Sequence, residues 1–118
     1  VETKIERING DDSLLKSLYF NASLFVNPSL NEGFGITNLE ALNLKAKIIV
    51  SKIDVFEEIL KSSEIYFNPY KEKELLDLLK KILIEKKNNY GNVRKDIFGK
   101  FTWLKTAIEM EKVYKNIL

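Results

Sequence analysis

Apolar and polar positions along the 118-residue chain alternate between two rhythms. Leu14, Leu15, Leu18, Tyr19 and Ala22 recur at helical spacing after the turn and cap signals of Gly10-Asp11-Asp12-Ser13. Leu24-Phe25-Val26 is then a short apolar run of the kind that fills a buried parallel strand, and Pro28 ends it because proline cannot donate to a sheet ladder. Helix returns over 36–44, where Ile36, Leu39, Ala41, Leu42 and Leu44 supply an apolar surface. Ile48-Ile49-Val50 is wholly β-branched and predicts a strand. A short helix over 54–60 with Asp54 as its cap follows, then a strand at Ile65-Tyr66-Phe67 closed by Asn68-Pro69.

The last third is nearly all helix. Leu75, Leu76, Leu78, Leu79, Ile82 and Leu83 form one stripe on a helix spanning 71–85. Asn88, Asn89 and Gly91 break it, a helical segment lies near 93–98, and a final helix runs over 103–117 behind Thr102 as cap. Lys4-Ile5-Glu6-Arg7-Ile8 alternates and predicts a first strand. Strands alternating with helices imply βαβ units. The expected fold is α/β: a partial Rossmann-like, three-layer α/β/α domain with a short parallel sheet of about four strands and a helical C-terminal end. Such a sheet is shorter than a complete doubly wound domain and looks truncated on its N-terminal side.

Composition narrows the chemistry. Cysteine and histidine are both absent, which removes disulfides, thiolate and imidazole catalysis and the commonest transition-metal ligands. No apolar run approaches the roughly 20 residues that span a bilayer. A net charge of +2 implies no nucleic-acid partner. The charge is uneven, however: positions 1–69 carry seven basic and ten acidic residues, positions 70–118 twelve basic and seven acidic. The basic half is read either as solvated lysine faces or as a weak attraction to an anionic membrane surface or an acidic partner.

One stretch speaks to function: Pro28-Ser29-Leu30-Asn31-Glu32-Gly33-Phe34-Gly35-Ile36-Thr37-Asn38-Leu39-Glu40-Ala41. It leads from the carboxyl end of a parallel strand, where open α/β sheets bind ligands, into a helix start whose unpaired amides suit a phosphate or diphosphate. Gly33 and Gly35 free the backbone to approach a ligand and to take positive φ. Two carboxylates beside an anion site make sense when the ligand also carries hydroxyls, as a nucleotide sugar does; Glu32 and Glu40 would flank it. The alternative is that both are ordinary helix-start acids favoured by the dipole. No Gly-Lys-Ser/Thr follows, so this is not a P-loop, and the third glycine of the dinucleotide fingerprint is missing.

The pattern Pro28-Ser29-x-x-Glu32-Gly33-Phe34-Gly35-Ile36-x-x-Leu39-Glu40-Ala41 resembles the donor-site motif of glycosyltransferase family 4, retaining enzymes of the GT-B architecture. The resemblance continues in order through Leu18–Val26, Ile48-Ile49-Val50-Ser51, Glu58-Ile59-Leu60, Ile65–Pro69 and Phe101-Thr102-Trp103 with Thr106. It implies that Glu32 contacts the transferred sugar at the reacting centre and that Gly33, Phe34, Gly35 and Ile36 face the sugar and diphosphate. Thr37 would add its amide, and Glu40 would bind the ribose. No metal or other cofactor is implied; amide dipoles and basic side chains would stabilise the leaving group.

Lys45 and Lys47 depart from the family's glycine and proline, and Asp54, Val55 and Glu57 from its Gly-Gly and Pro. The resemblance further implies that residues 1–118 are the C-terminal part of a nucleotide-sugar-binding domain. The first βα units, the basic residues that grip the diphosphate and the N-terminal acceptor domain would lie elsewhere, in cis or in trans. The expected function is therefore part of a hexosyltransferase of polysaccharide or glycoconjugate synthesis. It would be cytoplasmic or peripheral at the inner membrane face, and inactive in isolation. The alternative is a non-catalytic nucleotide-binding module or the partner subunit of a split enzyme.

Overall fold

The computed structural model describes residues 4–61, 65–85, 97 and 99–118. Helix α1 (Asp12–Asn21) is capped by Asp11, whose Oδ1 accepts the Leu14 amide at 2.9 Å. Strand β1 (Phe25–Asn27) leads through the glycine-bearing loop to α2 (Ile36–Asn43), and β2 (Ile48–Ser51) leads to α3 (Asp54–Leu60). Strand β3 (Tyr66–Phe67) precedes α4 (Glu72–Leu79), which continues into a π-helical turn over Lys80–Ile84. Helix α5 (Trp103–Ile117) closes the chain, with Thr102 Oγ1 accepting the Lys105 amide.

The sheet has the order β1-β2-β3 and is parallel throughout, Phe25 pairing with Ile48 and Val50 with Tyr66. Both pairs are joined by helical crossovers, as parallel pairing requires. The α/β class and the short parallel sheet therefore hold. The described residues contain three strands and not four, because Lys4–Ile8 is irregular and exposed. Its alternation is weak, and Ile5, 92% exposed, finds no apolar face to cover.

The core explains why the first three residues of β2, Ile48-Ile49-Val50, are apolar. Ile48 and Val50 point into one layer with Ala41, Leu42, Phe56, Ile59 and Leu60 from α2 and α3. Ile49 points the other way, against Phe67, Leu78 and Ile82. These three apolar side chains are completely buried, each worth roughly 1.5–3 kcal/mol of transfer free energy. The helix expected over 71–85 forms over 72–84, with Lys71 and Glu85 at its caps and its last turn π. The segment expected near 93–98 and the break at Asn88, Asn89 and Gly91 lie outside the described residues, apart from Ile97, which is buried in the first layer. Helix α5 contributes no buried residue. The radius of gyration, 16.5 Å, accordingly exceeds the roughly 13.5 Å of a compact chain of this length.

At the end of α2 the chain turns through Lys45, whose φ is +62°. The Ala46 amide donates to Ala41 O at 3.0 Å and the Lys45 amide to Leu42 O at 2.8 Å, the bonding of a Schellman motif. A lysine thus occupies a left-handed position that glycine fills most easily, which is the departure noted at this place in the sequence.

Candidate functional site

The site is built on the carboxyl end of β1. Asn27, the last strand residue, is buried, and both ends of its amide are engaged: Nδ2 donates to Asn38 Oδ1 of α2 at 2.8 Å, and Oδ1 accepts the Ser29 amide at 3.1 Å. Ser51 Oγ, at the end of β2, donates to the Asn27 carbonyl at 3.3 Å. Ser29 Oγ in turn donates to Glu32 Oε1 at 2.8 Å. The half-buried Glu32 is thus tied to the sheet end through a serine, a connection that the motif alone did not reveal.

Gly35 is the N-cap of α2 at φ +82°, ψ +51°. A Cβ there would lie 2.5 Å from Phe56 Cε1 and 3.0 Å from Asn38 Nδ2, so both the backbone conformation and the close approach demand glycine. Gly33 differs: its φ is not positive, and a Cβ would meet nothing within 4 Å. Of the two glycines expected to permit positive φ, only Gly35 uses that freedom. Because Gly35 provides no side-chain cap, the exposed first-turn residues Ile36 and Thr37 present amides with no side-chain acceptor at the positive end of the helix.

Glu40 lies further along α2 on an exposed surface, and its Oε2 accepts the Tyr19 hydroxyl of α1 at 3.3 Å. Phe34, Ile36 and Glu40 line a cleft of about 620 Å³ together with Phe101, Trp103 and Thr106. Phe34 meets Phe101 edge to face, with centroids 5.4 Å apart and an interplanar angle of 84°. The cleft therefore gathers three of the seven candidate residues, whereas Glu32, Gly33, Gly35 and Thr37 are outside its lining. Reading the sequence missed Tyr19, Asn27, Asn38 and Phe101. Tyr19 and Phe101 meet their partners across long stretches of chain that no local spacing marks, whereas Asn27 bonds the Ser29 amide two residues on, a local Asx-type pattern that could have been read.

Burial raises the Tyr19 hydroxyl above the usual tyrosine value, and the Glu40 charge and hydrogen bond push it further the same way. The folded state thus holds this proton more tightly than the unfolded chain does. Its stabilisation is complete below about pH 10, the ordinary tyrosine value, and is lost as pH rises from there through the raised folded value. In alkaline unfolding series, Tyr19→Phe is expected to show a shallower loss of stability above pH 10 than the wild type; coincident slopes would remove Tyr19 from the account.

Comparison with known proteins places the chain in a family. Residues 3–97 match the model of the glycosyl transferases group 1 family, and the chain belongs to that family. It is 42% identical over 81 residues to the O-antigen chain mannosyltransferase RfbU of Salmonella typhimurium, covering 64% of this chain and 23% of that protein. It is 32% identical over 113 residues to the uncharacterized glycosyltransferase MJ1607 of Methanocaldococcus jannaschii, covering 92% and 28%. It is 33% identical over 100 residues to the serotype-specific mannosyltransferase WbdA of Escherichia coli, covering 82% and 12%. The chain therefore spans about a quarter or less of the length of these relatives. No solved structure gives a significant match. Among the described residues, no helix is long and apolar enough to cross a membrane.

Proposed function

We propose that these residues form the nucleotide-sugar-binding part of a retaining glycosyltransferase of family 4 and GT-B type that transfers a hexose, with mannose favoured by the names of the relatives. The observation that carries this reading is the left-handed Gly35 cap. It opens the first turn of α2 at the carboxyl end of a parallel strand, with one carboxylate before it and one inside the helix. The amides of Gly33 to Thr37 would receive the diphosphate, Glu40 the ribose hydroxyls and Glu32 the sugar hydroxyls. Glu40 can accept more bonds, since its one partner among the described residues, Tyr19, occupies a single oxygen.

In this reading leaving-group charge is met by amide dipoles without a metal. The acceptor site and the basic residues that grip the diphosphate belong to a further part of the enzyme, in cis or in trans. The setting is cytoplasmic synthesis of a surface polysaccharide. Titration of the chain with nucleoside diphosphates and their hexose conjugates tests it: binding at the loop and first turn of α2 supports the reading, and binding elsewhere or none overturns it.

A further inference from the structure

We propose that Asn38, Asn27 and Ser29 are positioning residues that aim the Glu32 carboxylate before a donor arrives, an inference that rests on the donor-binding reading of Glu32. The relay runs in one direction through four side chains. Asn38, 1% exposed in α2, fixes the amide of Asn27, 6% exposed at the end of β1, through a 2.8 Å bond. With Nδ2 so committed, Asn27 turns Oδ1 toward the loop, where it takes the Ser29 amide. That bond holds the Ser29 backbone in place, and from there the Ser29 hydroxyl donates to Glu32 Oε1. Glu32 Oε2 is left available for a hydroxyl of the ligand.

The arrangement has a cost that points the same way. Asn38 Nδ2 is buried and has no hydrogen-bond partner among the described residues. Such an orphan donor is expensive, and an apolar residue at this helix position would avoid it. The benefit of Asn38 lies in its Oδ1, which decides the orientation of Asn27. Buried polar networks of this kind specify one geometry because the low local dielectric penalises every misaligned alternative. A glutamate held this way loses less side-chain freedom on binding than one free in solvent, so more of the contact energy appears as affinity and as correct alignment.

The test compares Ser29→Ala and Ser29→Thr with the wild-type chain, using the Glu32 side-chain carboxyl ¹³C resonance and the gain in affinity on going from a nucleoside diphosphate to its hexose conjugate. Ser29→Ala is expected to move the Glu32 resonance and to lower the sugar-dependent gain about three- to tenfold, with nucleoside diphosphate affinity held within about twofold. Ser29→Thr, which keeps the hydroxyl, restores both. In a Glu32→Ala background, which removes the acceptor, Ser29→Ala should have no further effect on the gain, a coupling that loss of fold alone does not produce. An unmoved Glu32 resonance in Ser29→Ala, or an equal loss in both backgrounds, overturns the relay. If the wild type binds neither ligand, the donor reading fails, and the Glu32 resonance of the free chain still decides whether the relay exists.

Discussion

Gly35→Ala is expected to destabilise the chain by about 2–5 kcal/mol, the largest loss predicted for any change in the loop. Two penalties combine. A side-chain-bearing residue held in the left-handed region costs about 1–2 kcal/mol, and Gly35 sits at φ +82°. The added Cβ would then fall 2.5 Å from Cε1 of Phe56, a rigid and completely buried ring of α3 with no room to withdraw. Forcing such a contact costs a further ~1–3 kcal/mol. Urea unfolding should show a lower midpoint at unchanged slope. Gly33→Ala is the internal control: with open space and no positive φ, it should be neutral or stabilising by less than about 1 kcal/mol. Equal effects of the two substitutions would contradict the geometry of the α2 cap.

The second large effect concerns the two carboxylates, which the proposed function assigns to different parts of one ligand. Glu40→Ala removes charge-assisted bonds to the ribose, each worth about 1.5–3 kcal/mol, so nucleoside diphosphate affinity should fall about ten- to a hundredfold. Glu32→Ala should leave that affinity unchanged and abolish the gain contributed by the sugar. In the intact enzyme, where Glu32 would meet the reacting centre, the same change should depress turnover far more than donor binding. Calorimetry or NMR titration of the two variants reads the split. A uniform loss in both would contradict this division of roles, and none in either would mean that these acids have no ligand role. Tyr19→Phe serves as a check on Glu40, because it removes the internal partner and leaves the carboxylate in place.

Much of the fold was legible because its signals are local. Ile48-Ile49-Val50 announces a strand buried on both faces, and β2 is that strand. Thr102 and the turn at Gly10–Ser13 mark helix starts by side-chain chemistry, and the caps form at Thr102 and Asp11. Asp54 illustrates the limit of such signals: it is the first residue of α3, not its cap, and Ile53 holds the capping position. The Lys4–Ile8 alternation failed because a strand needs a neighbour to pair with and a face to cover, and the pattern supplies neither. The π turn at Lys80–Ile84 continues a helical periodicity that looks uniform in sequence.

At the site, the motif located the loop, the glycine cap and the two acids. It did not show that Glu32 is restrained by Ser29, a local bond within the loop set by the loop's own conformation, or that Glu40 is held by Tyr19, which depends on where α1 packs against α2. Phe34 shows the same division: its edge-to-face contact with Phe101 and its place in the cleft lining depend on where the segment before α5 lies, which the motif does not carry.

The central claim is that the loop and first turn of α2 receive the diphosphate of a nucleotide sugar. The direct measurement is an amide-resolved NMR titration of the chain with GDP and UDP and with their hexose conjugates. The account predicts that the amides of Gly33, Phe34, Gly35, Ile36 and Thr37 shift together on adding a diphosphate, and that the Glu32 side chain responds only when the sugar is present. Unmoved amides at millimolar ligand, or shifts confined to other parts of the chain, would contradict it.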